Sequence, residues 1–387
     1  MERKNFTFSL FYFIIKIERI DKMGLELDKE QLKVVNSKAK YILVIANAGA
    51  GKTRCLTERV LRLINEGESP QGIVAITFTN AAADEMKQRL GEKCTGVFIG
   101  TIHSYINQIL IQNKVDTSTL LQEERFDELL DMLLARPGIV NNLKINHLLV
   151  DECQDLDERQ YTLLKEQFPA KNKLFVGDDW QMIYAFRGSN FEYIRQMYDD
   201  PKYTVYYLYN NYRCGTDIIR FSNQFMNDVL DKIERGTRPA RGCNGEVYTV
   251  HNLDEALSYI KEFDNFNDWL VLTRTNEQIT DIRENLRRMN IPTDTFKKSE
   301  ITAAELSEKM KSNTVKVLTA HAAKGLEAKN VIVYGLIPYD DDERRLCYVA
   351  CTRAADRLFW CKKKTTNKRR GFGKKRTPHG IEVFEWD

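Results

Sequence analysis

The sequence predicts an α/β protein with two parallel-sheet domains of similar size. Short β-branched runs alternate with helical patterns along most of the chain, the arrangement of doubly wound sheets. A length of 387 residues is enough for two cores, and 43% hydrophobic with 29% charged residues is the balance of a soluble globular chain. In the first half the strands fall at 41–46, 73–78, 97–101, 147–151 and 173–178. In the second half they fall at 204–208, 269–273, 315–319, 330–334 and 357–361. A boundary near Asp200-Pro201 gives a first domain over 23–200 and a second over 201–361. Within the first, 106–146 is predicted as a small helical insertion, because Ile109, Leu120, Leu121, Phe126, Leu129, Leu130, Leu133 and Leu134 recur at helical spacing before Pro137-Gly138.

The two ends stand apart from these domains. Residues 6–20 are apolar but interrupted by Lys16, Glu18 and Arg19, and no small-residue cleavage site follows. Such a segment is too short to span a bilayer, so no membrane association is expected. Met23 stands just before the first motif, and 1–22 read either as sequence upstream of the native start or as an additional strand or helix. At the other end, 362–376 holds nine basic and no acidic residues, while the whole chain is only +3. A basic tail over 362–387 is expected to be disordered without a ligand, its natural counterpart being a polyanion; the alternative is a plain solvated terminus. The eight cysteines form no CxxC pair and no Cys/His cluster at zinc spacing, as expected of reduced thiols in a cytoplasmic protein.

Chemistry is concentrated in short motifs. Ala46-Asn47-Ala48-Gly49-Ala50-Gly51-Lys52-Thr53 follows the first strand directly. A strand ending in a small-residue turn that runs into a helix points backbone N–H groups at an anion, and the helix N-terminus adds partial positive charge. Ala48, Gly49, Ala50, Gly51, Lys52, Thr53 and Arg54 are therefore the candidate phosphate-binding group of an ATP site, with Lys52 reaching the β- and γ-phosphates and the Thr53 hydroxyl on Mg²⁺. The strand 147–151 ends in Asp151-Glu152. Asp151 at its tip suits Mg²⁺ held through water, and Glu152 suits orientation and deprotonation of an attacking water.

With these two motifs in place, the chain resembles the UvrD/Rep-type superfamily 1 DNA helicases from residue 27 to residue 361. Asp28-Lys29-Glu30-Gln31 is similar to the family's Q motif, which gives Gln31 the reading of adenine. Segments 76–86 and 100–104 match the stretches that touch single-stranded DNA, and they implicate Phe78, Asn80, Thr101 and His103. Segment 176–188 matches the motif linking the γ-phosphate to the DNA groove and implicates Gln181, Tyr184, Phe186 and Arg187. The family usually has Asp or Glu where Trp180 stands and Trp where Phe186 stands. Asn211-Tyr212-Arg213 resembles the fourth motif, with Tyr212 stacking on adenine and Arg213 reaching the γ-phosphate. Segment 318–327 matches the fifth, with His321 toward DNA and Glu327 on the ribose, and 343–354 the sixth, in which Arg353 is the arginine finger.

The resemblance implies two RecA-like domains, catalysis by Lys52, Glu152, Gln181, Arg213 and Arg353, ATP and Mg²⁺ between the domains, and 3′→5′ movement on single-stranded or tailed duplex DNA. Guanidinium groups supplied from the second domain would make hydrolysis depend on domain closure. Rings such as Phe78, Tyr184 and Phe186 can stack on bases of any sequence, although Phe78 and Phe186 also read as core aromatics, and His103 and His321 as structural histidines. The large accessory insertions of the family are missing: 103–147 is much shorter than its first insertion, and 213–318 leaves no room for the second. Unwinding without a partner is therefore less assured than translocation. The rival reading is an ATP-operated DNA-binding subunit of a repair, phage or defence assembly that recruits a partner such as a nuclease. RNA as the track is a further alternative.

Overall fold

A computed structural model describes residues 26–262, 265–295 and 303–361, with short strands at 375–376 and 382–383. The extension 1–22 and the basic run 362–374 lie outside the described residues. The first sheet contains β1 (Tyr41–Ala46), β2 (Ile73–Thr77), β3 (Phe98–Thr101), β4 (His147–Val150), β5 (Asn172–Gly177) and β6 (Thr204–Leu208), ordered β3-β2-β4-β5-β1-β6 and parallel throughout. β1 (YILVIA) and β2 (IVAIT) are continuous apolar runs because both faces of the sheet are covered. Leu43, Val74, Leu148 and Phe175 enter one core, while Ile42, Val44 and Val176 enter the other with Leu56 and Val60 of helix Lys52–Asn65.

β6 corrects the reading of 204–208 as the opening strand of the second half. It pairs with β1, Val44 opposite Tyr206, and so completes the first sheet beyond Pro201. A proline break resembles a domain boundary in sequence, but the free edge of β1 decides where the next strand docks. The predicted insertion forms helices Ile102–Gln112, Ser118–Gln122, Phe126–Leu134 and Pro137–Asn141, starting four residues earlier than the expected 106. Leu129, Leu130 and Leu133 bury into the same cluster as Leu43 and Phe168, so these helices cap a face of the first sheet.

A small ladder of β7 (Asn210–Asn211) and β8 (Arg238–Pro239) precedes the second sheet. That sheet contains β9 (Glu246–Val250), β10 (Trp269–Thr273), β11 (Thr293–Asp294), β12 (Val315–Thr319), β13 (Ala328–Tyr334) and β14 (Ala354–Cys361), ordered β11-β12-β10-β13-β14-β9. β9 went unrecognised in the sequence; only five residues long, it is fixed by pairing with β14, Phe359 opposite Tyr248. β15 (Lys375–Arg376) and β16 (Glu382–Val383) continue this sheet antiparallel beyond β9, which corrects the expectation of a wholly unstructured tail.

Parallel strands place their carboxyl ends at one edge, where ligands of open α/β sheets bind. Six chemistry-bearing segments emerge there from the first sheet: Asn47 after β1, Phe78 after β2, Ile102 after β3, Asp151 after β4, Asp178 after β5 and Tyr209 after β6. The second sheet presents Lys324 to Glu327, after β12, to the same cleft.

Candidate nucleotide cleft and nucleic-acid groove

The phosphate loop is shaped by two glycines that no other L-residue replaces without strain. Gly49 (φ +67°) and Gly51 (φ +77°) are left-handed, and a Cβ on Gly49 would stand 2.8 Å from both Arg213 Cβ and Asn211 Oδ1. Gln31 Nε2 donates to the Ala50 carbonyl at 3.0 Å, and the Asp28/Gln31 capping box fixes the helix that carries it. Tyr212 N–H donates to Gly49 O at 2.9 Å, and its hydroxyl donates to Asp28 at 2.6 Å. Gln31 and Tyr212, 181 positions apart in sequence, thus flank the same loop. Thr53 and Arg54 line the cleft beside it.

Lys52 Nζ lies 3.1 Å from Glu152 Oε2, and Gln154 Nε2 donates to that same oxygen at 2.6 Å. Burial disfavours the Lys52 ammonium, but the carboxylates of Glu152, Asp178 and Asp151 outweigh it and raise its pKa. Burial likewise opposes the Glu152 carboxylate, and here Lys52 and Lys324 hold it down at about 2. Asp151 is pushed up to about 7 by burial and by the Glu152 charge beside it. The two acids therefore separate into an ionised base and a buried carboxyl short of positive charge. Glu152 itself adopts φ +50°, a left-handed conformation uncommon for a residue with a side chain. Thr53 and Asp151 supply the hydroxyl and carboxylate that suit Mg²⁺, which takes few protein ligands and completes its shell with phosphate oxygens and water.

Arginines from beyond the first sheet reach the same space. Arg353, 1% exposed, donates from Nη2 to Gln181 Oε1 at 3.0 Å and from Nε to Val349 O at 2.9 Å. Burial, reinforced by the Arg213 charge, lowers its pKa to about 10, which leaves it cationic at neutral pH. Arg213 pairs with Glu327, the residue implied for the ribose, and donates to Thr352 O at 3.2 Å. Lys324 donates to both Asp155 oxygens, at 2.8 and 2.6 Å, and to Gln181 O at 2.8 Å. Lys324 lay inside segment 318–327 without being singled out, and Gln154 and Asp155 lie just beyond Glu152, outside the motifs read from the sequence; the four-position spacing from Asp151 to Asp155 was the available signal.

Behind the cleft, aromatic rings from both halves meet. Phe78 and Tyr184 stack with centroids 5.4 Å apart at 22°, Tyr184 meets Phe186 edge-on at 6.0 Å, and Phe186 meets His321 at 5.7 Å. Arg187 lies over Tyr184 at 5.9 Å and Lys324 over the same ring at 5.1 Å. Phe186 is 73% exposed, which overturns its reading as a core aromatic. His321 is pushed down to about 4 by burial, Arg274 and Lys324, so it is neutral at physiological pH. Three of the sequence-predicted DNA residues are not joined to this cluster by any ring contact. Thr101 caps helix Ile102–Gln112 by accepting from Ser104 N, Asn80 is exposed in the first turn of helix Asn80–Leu90, and His103 Nε2 stands 3.4 Å from Asp127 of the helical insertion.

The UvrD/REP helicase N-terminal domain matches residues 27–142 and 128–202, and the UvrD-like helicase C-terminal domain matches residues 293–365. The chain belongs to the UvrD/REP helicase family. ATP-dependent DNA helicase PcrA of Staphylococcus epidermidis (strain ATCC 35984) is 25% identical over 367 residues, covering 69% of this chain and 50% of that protein. PcrA of Staphylococcus aureus (strain Mu50) is 26% identical over 368 residues with the same coverage. The chain thus spans about half the length of the curated relatives it matches. In this UvrD/REP chain, the stretch between the two matched segments carries Tyr212 and Arg213 into the cleft. No helix among the described residues is long and apolar enough to cross a membrane.

Proposed function

We propose that this protein is an ATP-dependent single-stranded DNA translocase and DNA helicase of 3′→5′ polarity, working in the cytoplasm. The observation that carries the reading is the double use of segment 178–187. Its Gln181 accepts from Arg353 in the nucleotide cleft, while its Tyr184 and Phe186 build the exposed aromatic cluster with Phe78 and His321. A displacement at one end of so short a segment is felt at the other.

Lys52 and the loop N–H groups bind the phosphates, and Gln31 with Tyr212 holds the base. Mg²⁺, held by Thr53 and Asp151, would neutralise phosphate charge as it develops. Glu152, kept ionised by Lys52 and Lys324, accepts a proton from the attacking water and orients it. Arg213 and Arg353 bring positive charge to the γ-phosphate, and their hold on it draws the halves of the cleft together. When Lys52 turns toward a phosphate, it leaves Glu152, which frees that carboxylate for the water. Stacked bases would then shift along the Phe78–Tyr184–Phe186 cluster as the cleft closes and opens. The 3′→5′ direction rests on family membership.

The test is strand displacement by the purified chain on duplexes with a 3′ or a 5′ single-stranded tail, with ATP turnover followed in parallel. Displacement of the 3′-tailed duplex supports the full reading. Turnover stimulated by single-stranded DNA without displacement favours the second reading, a DNA-gripping motor subunit that acts with a partner such as a nuclease. Absence of DNA-stimulated turnover removes both.

A further inference from the structure

Behind the cleft, the carboxylates of Asp178 and Asp179 are fully buried side by side, and one cation serves both. It is Arg235, which belongs to none of the sequence motifs. Its fork spans the two carboxylates, its Nε donates to Asn47 Oδ1 at 2.7 Å, and its guanidinium lies 4.5 Å from the centre of the Trp180 ring. Trp180 is held in turn by Tyr348, edge-on at 5.5 Å, and by a 3.3 Å hydrogen bond from its indole N–H to Ile233 O. Asn47 ties the same knot to the start of the phosphate loop, donating to Tyr209 O at 3.1 Å and Gly236 O at 2.9 Å.

The knot leads directly to Gln181. Asp178 Oδ1 faces Arg235, and Asp178 Oδ2 accepts from Gln181 Nε2 at 2.6 Å. The other end of that amide, Oε1, accepts from Arg353. An amide has one donor end and one acceptor end, while a guanidinium only donates. Gln181 meets Arg353 correctly only when its Nε2 is claimed by an acceptor on the opposite side. The Asp178 carboxylate is such an acceptor, and Arg235 holds it in place by bridging it to the neighbouring Asp179 carboxylate.

We propose that Arg235 is a positioning residue for ATP hydrolysis: by bridging Asp178 and Asp179 it fixes the orientation of the Gln181 amide, and through it the placement of Arg353 toward the γ-phosphate. This rests on the hydrolytic reading given above. Arg235 does not touch the nucleotide, so its loss should act on turnover and leave ATP affinity nearly intact. Lysine, a point charge without a fork, cannot span both carboxylates.

The test is steady-state ATP turnover by the full chain at saturating single-stranded DNA, with folding followed by thermal melting. Arg235→Lys is expected to lower kcat about tenfold or more with KM for ATP within about threefold of wild type. In a Gln181→Ala background the same substitution should lower kcat by no more than about twofold, since residues acting through one another are not additive. If Arg235→Lys does not fold, Arg235→Met/Asp179→Asn, which removes one cation and one anion together, takes its place in the same cycle. A wild-type kcat in the folded variant, or an equal fold-loss in both backgrounds, overturns the proposal while the hydrolytic reading stands. A wild-type chain without turnover removes both.

Discussion

Replacing Arg353 by lysine keeps the charge and removes the planar fork on which its hydrogen bonds depend. In the folded chain its guanidinium reaches Gln181 Oε1 at 3.0 Å, Val349 O at 2.9 Å and Leu326 O at 3.3 Å, from a site only 1% exposed. One ammonium cannot serve these directions at once, so at least one buried carbonyl loses its donor, at a cost of about 1–3 kcal/mol to stability. The larger effect is expected on rate. An arginine finger contributes on the order of 10³–10⁵ in kcat, equivalent to roughly 4–7 kcal/mol of transition-state stabilisation, and lysine does not reproduce its geometry. Turnover of Arg353→Lys should be measured at saturating ATP and single-stranded DNA, with melting recorded on the same preparation. A fall in kcat of less than about tenfold in a folded variant would falsify the assignment, because the residue would then contribute far less than a finger does.

Glu152→Gln should bind ATP and fail to turn it over, since the amide keeps the Lys52 contact geometry but takes no proton; near wild-type turnover would remove Glu152 as the base. Asp151→Asn is expected to raise the melting temperature of the ligand-free protein while abolishing Mg²⁺-dependent turnover. Burial and Glu152 lift the Asp151 pKa to about 7, so its ionised form costs stability that is lost as pH rises through that value, and the neutral amide avoids the loss; an unchanged melting temperature at pH 8 would contradict the assigned cause. Phe186→Ala should weaken single-stranded DNA binding by about 1–3 kcal/mol, the contribution of one stacked base, with DNA-independent turnover and melting retained; a large fall in melting temperature would return Phe186 to the core. Neutralising the basic residues of 362–370 to glutamine should flatten the log affinity versus log salt slope by roughly 0.7 for each phosphate contact removed, without changing maximal DNA-stimulated turnover. Equal slopes would leave that segment without a part in DNA binding.

The nucleotide site was legible in the sequence wherever chemistry is local. Gly49, Gly51, Lys52 and Thr53 lie within one turn and the following helix, and only glycine takes the left-handed backbone found there. Asp151 and Glu152 terminate an apolar run that could only be a buried strand, and all four strands β1, β2, β4 and β5 fell within one residue of their expected limits. Periodicity also found the helical insertion, because a stripe of leucines reports the face it will bury.

Pairings between distant segments were decided only by the fold. The docking of β6 on β1 depends on an open sheet edge, and a five-residue strand such as β9 carries too little pattern to announce its neighbour. Phe78 and Phe186 also read as core aromatics in sequence and His321 as a structural histidine, and the exposure of Phe186 is a property of the assembled halves. The same holds for charge. Lys324 with Asp155 and Arg235 with Asp178 and Asp179 are separated by 169 and by 57 and 56 positions. Burial is what makes such pairs strong, since a carboxylate removed from water must find a cation wherever the chain returns one to it. The sequence by itself determined the phosphate loop, the acidic strand tip and the residue types of a nucleotide site; the tertiary structure alone decided which cation faces which carboxylate, because electrostatic partnership depends on distance in space and shared exclusion of water, neither of which is written along the chain.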